Sequence, residues 1–294
     1  MLIEQPLLRA LAMVFIVTGM LSMGVQTTAR EVGQALGDRR FLGRALLANL
    51  VLVPALGLLV ALAVPLSPET RLGIALVSLA PGAPFGVQFT RRVKGSTAIA
   101  VGLALLLTLI ALVYTLPVAA VFLPLEASVH LPYGRVIAAV LLYLALPAAV
   151  GIGLHRWTPK VAGALAKPLF LLATAAFLSL MIVSGDLKRE GLSAIGAVGV
   201  VTMLAIIGGA MVIGWWLGGP APGTRRVLAV STSMRNVLIS HLIAAQAFPA
   251  GNVDLVVLAF FALMIPANVL FAIGVMLWDK WKARQAPGPT GQAA

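Results

Sequence analysis

Long apolar stretches separated by short polar segments run through almost the whole chain. Each is close to or longer than the roughly 20 residues that a transmembrane helix needs. The stretches cover about 7–26, 41–65, 70–93, 96–123, 132–155, 163–184, 191–217, 226–248 and 253–279. The pattern predicts an all-α polytopic membrane protein with nine transmembrane helices and a single membrane domain over 1–280. The tail 281–294, which contains proline, glycine and polar residues, is predicted to be a disordered cytoplasmic segment.

Two of the stretches are interrupted. The third contains Pro81, Gly82, Pro84 and Gly86, and this density of proline and glycine is incompatible with a regular helix. The eighth contains the polar run 231–236. A long span precedes each interrupted stretch and one further span follows it, so the second to fourth spans have the same pattern as the seventh to ninth. The two groups are five spans apart, and this odd number places them in opposite orientations in the membrane. We therefore predict an inverted repeat with two broken crossing helices. The alternative is that each interruption only kinks a packed membrane helix.

The basic residues separate into two sets when the loops are assigned alternately to the two sides of the membrane. One side carries Arg30, Arg39, Arg40, Arg44, Arg91, Arg92, Lys94, Arg156, Lys160, Lys167, Arg225, Arg226, Lys280, Lys282 and Arg284. The other side carries only Arg9, Arg71, Arg135, Lys188 and Arg189. Since basic loops favour the cytoplasm, the N-terminus is predicted outside and the C-terminus inside, in the inner cell membrane.

Arg235 is the one basic residue that this division leaves inside a span. The acidic residues all lie in predicted loops, tails or segment ends, so none is placed to neutralise it. An unpaired arginine at the bilayer centre costs about 2.5–3.5 kcal/mol on insertion scales. The guanidinium therefore requires a binding partner. Half-helices that restart after a break also favour anions at their N-termini, so the site is predicted to accept a carboxylate, sulfonate or sulfate.

Composition excludes several classes of function. Hydrophobic residues make up 61% of the 294 residues and charged residues only 10%, against about 25% in soluble domains. The length suits roughly nine or ten spans with short loops, so we expect no separate soluble domain. There is no cysteine, and the three histidines lack ligand spacing, so we expect no metal site. No paired carboxylates or serine–histidine motif falls in the spans, so we expect no enzyme. The net charge of +12 is scattered over short loops, so we expect no nucleic-acid partner.

Four short stretches, taken in order and spacing, resemble the bile acid:sodium symporter family. Leu79–Pro84 resembles the proline-glycine break of that family's first crossing helix, and Val230–Asn236 resembles its second break. Met20–Val25 and Ala48–Ala55 also fit, so the resemblance covers nearly the whole chain. Some members have ten helices and others nine, and this chain resembles the nine-helix members.

The resemblance implies a core domain of crossing broken helices packed against a panel domain, with alternating access by movement of one against the other. The core would comprise about 41–123 and 191–279, and the panel about 7–26 and 132–184. Substrate would bind in the crevice between them. The predicted substrate-binding residues lie at the two breaks and in the last span, and they are Pro84, Phe85, Gly86, Ser233, Arg235, Asn236 and Asn268.

The family's sodium ligands are mostly missing at the corresponding positions. A glutamate of the family falls on Ser231 and a glutamine on Arg235, while two hydroxyl positions fall on Ala100 and Ala104. The positions that correspond to the ion sites are Asn49, Gly86, Val87, Ser231, Thr232, Met234 and Arg235. Hard cations prefer oxygen ligands, and a guanidinium would repel sodium. The family is expected to have two sodium sites. We predict that the second site holds no sodium in this chain, regard sodium at the first as doubtful, and expect no other cofactor.

Three interpretations of Arg235 follow. It could act as a tethered cation that replaces the sodium charge and stabilises the crossover, which is the point where the two broken helices cross. It could pair directly with the anionic group of the substrate. It could also cap backbone carbonyl groups that the helix breaks leave free, as buried arginines in membranes often do.

The sequence predicts a secondary transporter of small organic anions or amphipathic acids, not coupled to sodium in the usual way of the family. The alternatives are a transport-inactive sensor or scaffold of the same fold, and an arsenite- or auxin-type efflux carrier, although the absence of cysteine speaks against arsenite. The expected partners are an anionic small molecule and the lipid bilayer. The oligomeric state is left open, with a monomer as one option.

Overall fold

The computed structural model describes residues 6–30, 33, 37–83, 86–122, 138, 141–183, 185–248 and 252–285. Every regular element in these residues is a helix. In chain order they are α1 (Pro6–Gly24), α2 (Arg39–Ala63), α3 (Pro68–Leu79), α4 (Gly86–Arg92), α5 (Thr97–Phe122), α6 (Leu141–Trp157), α7 (Pro159–Val183), α8 (Gly185–Leu217), α9 (Pro222–Ser233), α10 (Val237–Ala247) and α11 (Val253–Gln285).

The helices follow the predicted stretches closely. Within the described ranges, α2, α7, α8 and α11 are long and apolar enough to cross a membrane, and α5 joins them if its two parts, bent by 50°, are counted as one span. Together with the apolar composition, this makes the chain a multi-pass membrane protein. The predicted count of nine spans and the inverted repeat stay predictions, because the two interrupted spans are divided into pieces of 7 to 12 residues, each too short to cross alone.

Both predicted interruptions are breaks in the backbone. The α3 helix ends at Leu79, Ala80 is extended, and Gly82 has a φ of 80°. A side chain at Gly82 would be strained at this φ, and its Cβ would lie 2.6 Å from the backbone nitrogen of Thr108 in α5. The second break runs from Met234 to Asn236, where the Asn236 side chain accepts a hydrogen bond from Ile239 N and thereby caps α10.

The α2 helix contains a π-helical turn at Ala48–Leu52. It is followed by Pro54, which lacks the N–H that a regular helix would offer to the carbonyl group of Leu50. The hydroxyl of Tyr114 in α5 donates to that carbonyl instead, at 2.5 Å. Short π-helical turns inside α-helices are frequent at functional sites, and this one leaves carbonyl groups open to partners outside the helix.

Most of the contacts between helices fall within two sets. The first contains α1, α6 and α7, which pack on one another. In the other set, α3 contacts α2 and α11, and α8 contacts both α9 and α11. The division into a core and a panel stays a prediction. At the C-terminal end, α11 continues to Gln285 and so includes the first residues of the predicted tail, whereas 286–294 lie outside the described residues.

Candidate functional site

The carboxyl end of α3 presents five backbone carbonyl groups at the first helix break, and all five accept hydrogen bonds from other segments. Helix ends leave such carbonyl groups without intrahelical donors, so a buried end needs external ones. Four of the donors come from the second break or the helix that follows it, and one comes from α5. The bonds are Ser240 Oγ to Leu76 O (3.5 Å), Arg235 Nε to Val77 O (3.4 Å), Arg235 Nη2 to Ser78 O (2.5 Å), Thr115 Oγ1 to Leu79 O (3.2 Å) and Asn236 N to Ala80 O (2.9 Å).

The π-helical turn of α2 supplies the remaining partners of Arg235. The backbone N–H of Val53 bonds to Ala48 O, and Pro54 has no N–H to give, so the carbonyl group of Asn49 is left open. Arg235 Nη2 donates to that carbonyl oxygen at 3.3 Å, and Arg235 Nη1 donates to the Asn49 side-chain oxygen at 3.3 Å. The Asn49 amide nitrogen is fixed in turn by Ala45 O at 3.0 Å.

Arg235 is therefore a buried cation bonded to four neutral oxygens. Only 1% of its surface is exposed, and it is the largest fully buried side chain among the described residues. Three of its acceptors are backbone carbonyls, and two of these belong to the end of α3, where the helix dipole places partial negative charge. The fork of the guanidinium thus joins α2, α3 and the second break in one network.

The same geometry tests whether sodium fits here. Val77 O, Ser78 O and both oxygens of Asn49 converge on one point, and backbone carbonyls at the ends of half-helices are the groups that hold sodium in transporters built on broken helices. The guanidinium bonds to all four oxygens. Arg235 and a sodium ion therefore do not fit at these oxygens together.

The other residues predicted for the ion sites do not add oxygens to this network. Thr232 is fully buried, but its hydroxyl donates to Ala210 O at 2.7 Å, which ties α9 to α8. Ser231 lies half-buried on α9. Val87 and Met234 are buried and apolar, and Gly86 lies beside Met234, so the two breaks are adjacent.

The predicted substrate residues are placed around the breaks. Asn236 is buried and its side chain caps α10. Ser233 and Asn268 are also buried, and the Ser233 hydroxyl donates to Asn268 Oδ1 at 3.0 Å, which joins α9 to α11. Pro84 and Phe85 lie outside the described residues. The substrate-binding roles of all these residues stay predictions.

A cavity of about 320 Å³ lies between the set α1, α6 and α7 and the other helices. None of the residues predicted for the site lines it. Its walls come from α1, α4, α7 and α11, and they are formed by Phe15, Gln88, Phe89, Arg92, Phe170, Thr174, Phe177, Leu178, Ile265 and Val269. We call it the α4–α7 crevice. One feature of the sequence indicates this crevice. Gln88 and Arg92 are four residues apart, which places both polar side chains on one face of α4.

Arg91, the neighbour of Arg92, connects the two sides of the crevice. Its guanidinium donates to the side-chain oxygen of Gln26, just beyond α1, at 2.8 Å, and lies 5.5 Å from the centre of the Phe170 ring in α7. Both contacts join α4 to the set formed by α1, α6 and α7. They also hold one aromatic wall of the crevice in place.

Comparison with known proteins confirms the resemblance to the bile acid:sodium symporter family. The Sodium Bile acid symporter family matches residues 11–195 of the chain. One similar protein is a probable sodium/metabolite cotransporter, the chloroplastic BASS2 of Oryza sativa subsp. japonica. It is 25% identical over 239 residues, which cover 78% of this chain and 55% of the relative. The chain therefore spans only about half the length of that relative.

Proposed function

Because the chain belongs to the sodium bile acid symporter family, we propose that it is a secondary transporter of small organic anions in which Arg235 takes the place of a coupling sodium ion. The observation that carries this proposal is the set of four oxygens around the guanidinium, two of them at the end of α3. A cation fixed to the chain supplies the charge that a bound sodium would bring to these carbonyl groups. The crossover is then stabilised whether or not sodium is present.

Direct pairing of Arg235 with substrate receives less support from the geometry. The side chain is 1% exposed, and each of its three nitrogens already donates to an acceptor in the protein. A substrate anion could reach it only by displacing the carbonyl groups that close the end of α3. The tethered-cation and capping interpretations coincide in this site, because the groups that Arg235 caps are those suited to a cation.

The α4–α7 crevice is the place that we propose for substrate. It lies between the predicted core and panel, where movement of one against the other would expose it alternately. Its walls are mainly aromatic and aliphatic, with a few polar groups, which suits an amphipathic acid. Arg92 belongs to the basic set assigned to the cytoplasm, so the crevice is proposed to open to that side of an inner membrane.

Coupling without sodium leaves uniport or exchange as the simplest modes. The described residues hold no cluster of acidic or histidine side chains suited to a metal ion, and all acceptors of Arg235 are uncharged. Among the described residues, Arg235 therefore bonds to no carboxylate whose protonation could couple to transport. Movement of the substrate down its own gradient, or against a second anion, requires no further ion.

Uptake by the full chain in proteoliposomes tests the proposal. Naphthalene-2-sulfonate and taurocholate serve as substrates because sulfonates stay charged and cross lipid slowly unaided. We expect saturable uptake of at least one of them, equal in sodium and choline media, with empty liposomes as the control. Uptake that strictly requires sodium would contradict the fixed-cation proposal. Saturable uptake of neither anion in either medium would count against transport of this class and favour a transport-inactive scaffold.

A further inference from the structure

Arg92 and Gln88 lie on the same face of α4, on one wall of the α4–α7 crevice. Residues four apart on a helix are separated by about 6 Å along its axis. Phe89, next to Gln88, lines the same wall. The opposite walls are aromatic and aliphatic apart from Thr174, whose hydroxyl donates to Phe170 O, and they include Phe15 from α1 and Phe177 from α7. The crevice thus has a cation and an amide at a fixed spacing, with apolar surface around them.

Three arginines in or near α4, namely Arg91, Arg92 and Arg226, differ in what they bind. Arg226 pairs with Asp279 and also donates to Val93 O at 3.0 Å, and Arg91 is held by Gln26 and the Phe170 ring. Arg92 is exposed, and no carboxylate in the described part of the chain lies within salt-bridge distance of it. Its charge is therefore available to an anion that enters the crevice.

Gln88 offers a second and different contact. Its side-chain oxygen is buried and accepts no hydrogen bond from any described residue. A buried amide oxygen without a donor is unfavourable, by about 1–3 kcal/mol for a typical polar group. A ligand hydroxyl or amide N–H at this position would provide the missing donor.

We propose that the α4–α7 crevice binds an organic anion that carries a hydroxyl or amide donor, with Arg92 as the anchor for the anionic group and Gln88 as the acceptor for the donor. The apolar body of the ligand packs against the phenylalanines. The donor lies about one helical turn from the anion, because that is the spacing of the two side chains. This assignment rests on the proposed function in one respect only, namely that the proposed function places the transported substrate in this crevice.

A matched set of ligands separates the two contacts. The probes are 6-hydroxynaphthalene-2-sulfonate, naphthalene-2-sulfonate and the neutral naphthalene-2-sulfonamide, titrated calorimetrically into purified full-length protein in detergent. We expect the wild type to prefer sulfonate over sulfonamide by about tenfold and the hydroxylated sulfonate over the plain one by about fivefold. Arg92→Gln should remove the first preference and retain the second. Gln88→Leu should retain the preference for sulfonate over sulfonamide and remove the preference for the hydroxylated sulfonate.

The control for charge is Arg39→Gln, which removes an exposed arginine at the start of α2 and should leave both preferences unchanged. Each preference is a ratio within one protein sample, so a partly unfolded variant still reports it. An Arg92→Gln protein that keeps the tenfold preference would overturn the role of Arg92, and a wild type that binds none of the probes would overturn the site.

Anionic lipid is the other source of a negatively charged group on an apolar body. Nanodiscs of phosphatidylcholine, with and without phosphatidylglycerol, distinguish the two. We expect naphthalene-2-sulfonate to bind equally in both, and displacement by phosphatidylglycerol would overturn the assignment to a free organic anion. Binding requires no gradient, so a protein that binds the probes but transports nothing disproves the proposed function alone. Transport with unchanged preferences in Arg92→Gln disproves this inference alone.

Discussion

Arg235→Gln is expected to lower the free energy of unfolding by about 3 kcal/mol or more. The substitution removes the charge and leaves the carbonyl oxygens of Ser78 and Asn49 buried without their guanidinium donors. Each such group is unfavourable by about 1–3 kcal/mol, and two helices lose the connection between them. Thermal or denaturant unfolding of the purified protein in detergent measures the effect.

Two further variants make this result interpretable. Arg235→Lys keeps the charge but loses the planar fork, so its stability should fall between those of the wild type and the glutamine variant. Arg39→Gln removes an exposed arginine and should unfold like the wild type. If Arg235 instead only contacted substrate, the glutamine variant would be as stable as the wild type and would lose anion binding.

Gly214→Ala is expected to destabilise the protein by about 3 kcal/mol. A Cβ atom at this position in α8 would overlap Thr232 Oγ1 and Leu228 O and would lie 2.7 Å from Ala229 Cα. Two of these atoms belong to the backbone of α9 and cannot rotate away. The helix that leads into Arg235 would be pushed off α8, and the bond from Thr232 to Ala210 O would be strained.

Gly208→Ala is the matched control because it lies in the same helix, where an added Cβ meets nothing within 4 Å. Alanine has the higher helix propensity, so this variant should be neutral or slightly more stable. Unfolding temperatures of the two variants, compared at the same detergent concentration, provide the measurement. Equal unfolding temperatures of the two variants would show that the close approach of α8 and α9 does not contribute to the stability of the protein.

The breaks in the backbone could be predicted from the sequence because their causes are local. Pro81 and Gly82 prevent a regular helix in any environment, and the polar run 231–236 competes with the backbone for hydrogen bonds. Helix ends within a few residues of the observed ones followed from these signals alone. The number of spans does not follow from such local signals, since a broken span has no single helix long enough to cross the membrane.

The need of Arg235 for a binding partner could be predicted from the sequence, but the identity of that partner could not. Its cost in a membrane and the absence of nearby acids indicated that it needs a partner, and the sequence left open a substrate anion, the role of a lost sodium ion and free carbonyl groups at a break. That these include Asn49 O depends on the π-helical turn before Pro54, a feature of α2 that lies far from Arg235 in sequence. Contacts between distant segments depend on how whole helices pack, and no local pattern reports that packing.

The α4–α7 crevice could not be predicted from the sequence either, because it too is formed by distant segments. Predicted site residues such as Ser233 and Asn268 bond to each other inside the protein, whereas Phe170 and Arg92 line the cavity. Polar residues in apolar spans attract attention in a sequence, although many of them only join helices. The aromatic residues of α1 and α7 resemble ordinary lipid-facing or packing residues until the two sides of the crevice are brought together.

The most direct test of the central claim is a titration of the purified wild-type protein with sodium chloride, compared with choline chloride at equal ionic strength, with the unfolding temperature as the readout. If Arg235 replaces the coupling ion, the two salts give the same unfolding temperature at every concentration. Arg235→Gln, measured alongside, should then gain stability from sodium alone, because the oxygens released by the guanidinium can bind a small cation. A saturable, sodium-specific stabilisation of the wild type would contradict the account.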